Sequence, residues 1–392
     1  MQYREDRYGN PISILGFGCM RFTRNGAAID YDKAEAELLR AIELGVNYFD
    51  TAYVYPGSEE LLGRVLAQNG VRDQVRVATK LPQYLVKSAQ AIDRIFDDEL
   101  RRLQTDHVDY YLMHMFTDPV QWENLRRLGI EEWIERKKAS GQIGQIGFSF
   151  HGNCAAFMRL LDAYNWDFCQ IQYNYLDEHT QAGRAGLLAA AERGIPVIIM
   201  EPLRGGKLVD LMPDEGKHLV AVNPRGWSAA ELAFRWLWDQ PQVTCVLSGM
   251  NSIAMLEENC RVASEARVGE FTEADQELVA GVRDAINARM RVGCTGCNYC
   301  MPCPKGVDIP ALFRCYNAMY TEGKGSGRKE YWQTVSLRRE KAFARQCVGC
   351  GKCESHCPQG IKIREQIRIA DRELRPLPWR IAGDVARAFM NR

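Results

Sequence analysis

The sequence has no apolar run approaching the roughly 18 residues that read as a membrane-spanning helix, so no such span is expected. Its start, Met1-Gln2-Tyr3-Arg4-Glu5-Asp6-Arg7, has no apolar core and does not read as a secretory signal, so a cytoplasmic setting is expected. Net charge is also missing. The 50 Lys and Arg balance 50 Asp and Glu, which argues against a surface built for nucleic acid. A hydrophobic share of 46% with 26% charged residues excludes disordered and fibrous classes. At 392 residues the chain is too long for one small domain and suits a large domain plus a smaller one.

Cysteine is what the sequence has in excess. Eight of its 14 cysteines fall between Cys294 and Cys357 in two tight runs, and the other six (Cys19, Cys154, Cys169, Cys245, Cys260, Cys315) are scattered. A disulfide framework needs an oxidising compartment, which nothing in this sequence suggests. The spacing points to metal instead. The second run, Cys347-x2-Cys350-x2-Cys353-x3-Cys357-Pro358, is the full bacterial-type iron–sulfur pattern. The first, Cys294-x2-Cys297-x2-Cys300-x2-Cys303-Pro304, is one residue short in its last gap. In that pattern the fourth cysteine, before proline, ligates the other cluster. Two [4Fe–4S] clusters are therefore expected, one on Cys294, Cys297, Cys300 and Cys357, the other on Cys347, Cys350, Cys353 and Cys303. Zinc normally uses two pairs of ligands rather than two runs of four. Cys315 lies on a helical stretch and reads as a packed thiol, and His356 as a hydrogen bonder near a sulfur rather than a ligand.

Ahead of these runs, residues 10–290 alternate short apolar runs with helical patterns. The eight runs lie at 12–20, 47–52, 76–81, 108–115, 145–150, 167–174, 196–203 and 243–250. Amphipathic stretches separate them at 31–44, 58–68, 89–103, 122–139, 154–163, 183–193 and 228–238, with Ser58, Ser88, Asn153 and Ser228 as helix caps. Near-continuously apolar strands joined by helices mean a parallel sheet covered on its faces. Eight units in this length predict an α/β fold, a (β/α)8 TIM barrel, with a doubly wound sheet as the alternative. Residues 290–392 change character: 19 Lys and Arg against 9 Asp and Glu make this part +10, and residues 1–289 are −10. Helices are expected at 311–320 and 363–374, and a flexible glycine-rich loop at 321–328. The tail, with Trp379, Ile381, Val385 and Phe389 at helical spacing, is expected to pack back on the protein.

In such a barrel the C-terminal strand ends carry the chemistry. Run two ends in Asp50-Thr51-Ala52-Tyr53-Val54-Tyr55, run three in Thr79-Lys80, and run four reaches His114. An acid, a tyrosine, a lysine and a histidine thus point at one mouth, as an acid catalyst for a carbonyl would require. Lys80 beside Tyr55 is expected to lower the phenol's pKa, Asp50 to hold the lysine charged, and His114 to orient the carbonyl oxygen. Arg204-Gly205-Gly206-Lys207 offers amides and charge to a pyrophosphate, or is a plain loop.

These residues carry a resemblance. The chain resembles the aldo/keto reductase superfamily over roughly 10–265, through Leu15-Gly16-Phe17-Gly18, the stretch at Asp50, Lys80, Tyr111-Leu112-Met113-His114, Ile146-Gly147-Phe148-Ser149, Gln170 and Leu256-Glu257-Glu258-Asn259. As a whole it resembles the subgroup with a C-terminal 4Fe–4S dicluster, ferredoxin-like domain. The resemblance implies a barrel at 1–285 and a smaller, mainly α-helical cluster domain at 286–392. It places the catalytic tetrad on Asp50, Tyr55, Lys80 and His114, and NAD(P)H contacts on Ser149, Gln170 and Asn259. It also shows departures. Ser149 is followed by Phe150 where the family has Asn, the nicotinamide-stacking aromatic gives way around Met200-Glu201-Pro202, and Gly249, Met250 and Met255 stand where basic residues grip a 2′-phosphate. NADPH preference is therefore not expected, and NADH or no nicotinamide stay open.

Clusters move single electrons whereas nicotinamide moves two. The leading expectation is an oxidoreductase acting on a small carbonyl or alcohol, with its clusters exchanging electrons with a ferredoxin-like carrier. An NAD(P)H-dependent reductase with structural clusters, and a redox subunit without turnover, are the alternatives.

Overall fold

The structure is a computed structural model that describes every residue except 27, 295, 297, 339, 341, 358, 382 and 384–392. Cys297, Val385 and Phe389 lie outside the described residues. Eight strands close into a barrel: β1 (Leu15–Gly18), β2 (Tyr48–Asp50), β3 (Arg76–Leu81), β4 (Val108–Phe116), β5 (Ile143–Phe150), β6 (Phe168–Gln172), β7 (Val197–Met200) and β8 (Val243–Ser248). Neighbours in the chain are neighbours in the barrel, and every pairing is parallel. Each strand falls on one of the eight apolar runs, with β4 running one residue past its run and β5 starting two residues before, and the closed barrel excludes the doubly wound alternative.

Side chains alternate across a strand. Tyr48, Ala78, Tyr110, Leu112, Phe168, Ile198 and Cys245 point inward and plug the barrel. Phe49, Val77, Tyr111, Cys169 and Val197 point outward into the layer beneath the helices. Two residues beyond the plug, the same parity brings Asp50, Lys80, His114 and Gln170 to the upper rim. The lower end is closed by the hairpin Tyr3–Glu5 with Pro11–Ser13, where Asp6 accepts from the Tyr110 hydroxyl at 2.7 Å.

Three local expectations are corrected. The helix expected over 122–139 is two, Val120–Arg127 and Ile130–Ala139, broken at Gly129, whose φ of 78° is cheap only without a Cβ. Helix Ser58–Gln68 is capped by Gly57 rather than Ser58, because the Ser58 hydroxyl is already engaged with the Cys19 carbonyl at 2.8 Å and Thr51 at 2.7 Å. Ser88, Asn153 and Ser228 cap as expected.

The third correction concerns the C-terminal region, a helical module with its own core of Val307, Leu312, Phe313, Tyr331, Ile367 and Leu374. Residues 321–328 are no flexible loop: Lys324–Tyr331 is a helix. It packs against helix Ile309–Thr321, and a Cβ on Gly327 would sit 2.3 Å from the Cys315 carbonyl oxygen. That glycine serves close helix contact. Cys315 is fully buried, and Trp379 meets Trp332 edge-on at 6.2 Å. Among the described residues no helix is long and apolar enough to cross a membrane.

Candidate functional site

Four strand ends build the mouth. The Lys80 ammonium donates to Asp50 Oδ1 at 2.5 Å and to the Thr51 carbonyl at 2.7 Å, and all three residues are buried. Gln170, from β6, donates to the other Asp50 oxygen at 2.9 Å. Asp50 is thus held on both oxygens, and its charge is set against that of Lys80. Tyr55 stands on the loop after β2, its ring 5.4 Å from Lys80 Nζ and edge-on to the His114 ring at 6.0 Å. The Thr51–Ser58 hydroxyl contact and the bond from Tyr55 N–H to the Ala52 carbonyl fix that loop.

The expected lowering of the Tyr55 pKa is corrected. Burial pushes the phenol well up, and the charges of Asp50 and Glu201 add to this. The lysine does not reverse it because Asp50 neutralises Lys80 at hydrogen-bond distance. Tyr55 is therefore held protonated, as a proton donor. Burial, reinforced by Lys80 and His151, drives the His114 pKa well below its ordinary value, so the imidazole is neutral. Its Nδ1 is buried with no hydrogen-bond partner among the described residues. An irregularity in β4 beside β5 puts Met115 at φ 58°, and its N–H donates to Ser149 Oγ at 2.8 Å. Ser149 thereby fixes the strand at His114.

Two expected nucleotide contacts have partners in the protein. Asn259 donates to Ser248 Oγ at 3.3 Å at the end of β8. Arg204 is buried, with Nη1 3.0 Å from both Asp177 oxygens and Nη2 2.7 Å from Glu322 and 3.4 Å from Glu330. Burial opposes its charge, but Asp177, Glu330 and Glu322 more than offset this and raise its pKa. Lys207 reaches Glu322 at 2.8 Å, and Arg314 pairs with Glu330. Glu322, Glu330 and Arg314 belong to the C-terminal module, which therefore docks on the loops after β6 and β7, at the mouth end of the barrel. Sequence reasoning missed this network, in which Arg204 and Lys207 meet carboxylates more than 100 residues away. It also missed Glu201, at φ 55° with its carbonyl accepting from Asn174 and the Arg204 N–H.

The cysteines line two cavities. One, of about 240 Å³, is lined by Cys300, Cys303, Cys347, Cys350 and Cys353. The other, of about 20 Å³, is lined by Cys294, Cys300 and Cys357. Among the described residues no three His, Cys, Asp or Glu side chains converge on one metal ion. A cubane presents a separate iron to each thiolate, so its ligands ring a cavity rather than meet at a point. The Gly349 N–H donates to the Cys347 sulfur at 3.4 Å. The donor set fits an iron–sulfur cluster. His356 bonds the Lys352 carbonyl through Nδ1 at 2.7 Å.

Comparison with known proteins follows the same division. The aldo/keto reductase family model matches residues 14–276, two thirds of the chain. The chain belongs to the aldo/keto reductase family. A 4Fe–4S dicluster domain model matches residues 293–361. An L-galactose dehydrogenase from Arabidopsis thaliana is 28% identical over 298 residues, covering 70% of this chain and 90% of that protein. A Schizosaccharomyces pombe aldo-keto reductase, with NADP(+) in its name, is 26% identical, covering 71% of this chain and 93% of its own. Among solved structures, a Bacillus halodurans aldo-keto reductase in its holo form superposes with a TM-score of 0.59 at 26% identity, covering 72% of this chain and 96% of its own.

At the nucleotide end this aldo/keto reductase keeps two basic side chains occupied within the protein. Arg204 and Lys207 are held by carboxylates of its own C-terminal module. Gly249 packs on the Arg21 side chain, and the exposed Met255 offers no charge to a 2′-phosphate. The basic residues that the family resemblance implies are absent at 249, 250 and 255, while the Arg21 guanidinium lies against Gly205.

Proposed function

We propose that the chain is an oxidoreductase that interconverts a small carbonyl compound and its alcohol at the Tyr55 mouth, with two [4Fe–4S] clusters as its electron path. The observation that carries this reading is the docking of the cysteine module on the barrel mouth through Arg204, Asp177, Glu322 and Glu330. A cluster kept for stability alone has no need to sit there. The barrel would occupy residues 1–285 and the cluster module 286–392. One cluster would be held by Cys303, Cys347, Cys350 and Cys353, the other by Cys294, Cys297, Cys300 and Cys357. When bound, the clusters supply electrons one at a time.

The chain's own residues handle the proton and the oxygen. The Tyr55 hydroxyl donates to the carbonyl oxygen as it gains electron density. Neutral His114 offers a hydrogen bond to the same oxygen and fixes its orientation. Asp50 fixes the Lys80 ammonium beside the Tyr55 ring, and Gln170 holds Asp50 in place. Reduction of one carbonyl consumes two electrons and two protons.

The test is a reduced-minus-oxidised spectrum titrated in turn with NADH, NADPH and dithionite. Bleaching by dithionite with no response to either nucleotide is expected. Bleaching by a nucleotide, or full NAD(P)H turnover in folded protein stripped of iron, would replace this reading with a nicotinamide-dependent reductase carrying structural clusters.

A further inference from the structure

The two cysteine cavities share Cys300 and differ in their other walls. The cavity of Cys294, Cys300 and Cys357 is walled by Asn298 and Pro310. The same two residues wall a polar crevice that reaches His151 and Gln181 on the barrel loops. Asn298 donates to the His179 carbonyl at 3.2 Å, so the first cysteine run touches the loop after β6. The cavity of Cys303, Cys347, Cys350 and Cys353 opens outward. Cys350 is exposed, and Tyr299 and Val348 at the cavity are 67% and 63% exposed. Cys300 borders both cavities and links them.

The outward cavity is ringed by one sign of charge. Its lining includes Lys305, Lys352 and Arg364 and no carboxylate. Both lysines are exposed, and among the described residues only Arg364 of the three has a carboxylate partner, Glu354 at 2.7 Å. The region as a whole is +10 by sequence, and the negative charge of two thiolate-bound clusters offsets only part of it. An apolar centre over a redox site, with unpaired cations around it, suits an acidic partner: charge steers the encounter and the apolar centre seats it.

We propose that this face is the docking surface for an acidic one-electron carrier protein. The inference rests on the cluster-loaded reading above. A cluster held at this face would take one electron from the reduced carrier, which would leave oxidised, and two such deliveries with two protons would balance the conversion of one carbonyl into one alcohol.

The experiment uses the full-length, cluster-loaded protein and a plant-type [2Fe–2S] ferredoxin as the acidic probe. Binding is measured by calorimetry at low and high ionic strength, and cluster reduction by stopped-flow absorbance. Binding that weakens with salt is expected, and Lys305→Glu with Lys352→Glu should weaken it and slow reduction by roughly tenfold or more. Iron content and reduction by dithionite should stay unchanged, as should binding in Lys217→Glu on the barrel. Equal binding and reduction in the charge-reversed protein, or equal loss in Lys217→Glu, would overturn the docking assignment. So would a wild-type dimer, seen by sedimentation, that the charge reversal dissociates, because a second copy's acidic barrel would then cover the face. Clusters that fill and accept electrons from dithionite yet never serve carbonyl reduction would refute the proposed function instead, and calorimetry would still decide the docking.

Discussion

Replacing Arg204 with Met tests the junction between the two modules most directly. The guanidinium meets Asp177 at 3.0 Å and Glu322 at 2.7 Å, and the side chains of all three are less than a tenth exposed. At an effective dielectric near 20, one such contact has a Coulomb energy of about 5 kcal/mol, opposed by several kcal/mol of desolvation. Removing one partner leaves the carboxylates buried without their main counter-charge, which costs about 3–5 kcal/mol. Lys207→Met is the internal control. Its side chain is 35% exposed and bonds Glu322 alone among carboxylates, so its loss should cost about 1 kcal/mol or less. The assay is guanidinium unfolding of cluster-loaded protein, followed by far-ultraviolet dichroism and by cluster absorbance. In Arg204→Met the cluster signal should be lost at lower denaturant than the barrel's. Adding Asp177→Asn should recover part of the loss, because it removes the carboxylate that Arg204 held on both oxygens. An Arg204→Met cost within 1 kcal/mol of Lys207→Met, or no recovery in the double variant, would refute the reasoning.

Tyr55→Phe should lower the rate of carbonyl reduction by roughly 100-fold or more with cluster absorbance intact, the ordinary size of a lost general acid; an unchanged rate would remove Tyr55 from the chemistry. His114 is neutral in the folded protein but titrates near 6.5 when unfolded, so the unfolded state binds more protons below that pH. Its contribution to stability is complete above pH 6.5 and is lost as pH falls, by about 1.4 kcal/mol per pH unit until the folded pKa is reached. His114→Gln should flatten that slope in denaturant midpoints measured from pH 7 downward. Cys303→Ser should lower bound iron and Cys315→Ser should leave it unchanged, by iron analysis of anaerobically reconstituted protein. Gly327→Ala should destabilise the C-terminal module by about 1–3 kcal/mol through its clash with the Cys315 carbonyl, read from the cluster-loss midpoint.

What the sequence by itself determined follows rules of short range. Strand alternation sends every second side chain inward, so Tyr48, Ala78, Leu112 and Phe168 in the plug require Asp50, Lys80, His114 and Gln170 at the rim. Eight apolar runs separated by helical stretches allow little but a closed parallel barrel. Cysteine spacing within each run is likewise local, and it marked the iron–sulfur module before any fold was known. The tertiary structure alone decided the rest, because burial and charge pairing depend on segments far apart in the chain. Tyr55 lies beside Lys80, yet its pKa rises, since desolvation acts through the surrounding fold and Asp50 cancels the lysine. Arg204, with glycines after it, reads as a phosphate loop until Glu322 and Glu330, over 100 residues away, fold onto it. Glycines at 323, 325 and 327 signal a loop by composition, but the neighbouring helix makes Gly327 a point of contact. Which cysteine cavity shares walls with the barrel loops is set by how the two modules pack, and spacing within a run carries no information about that.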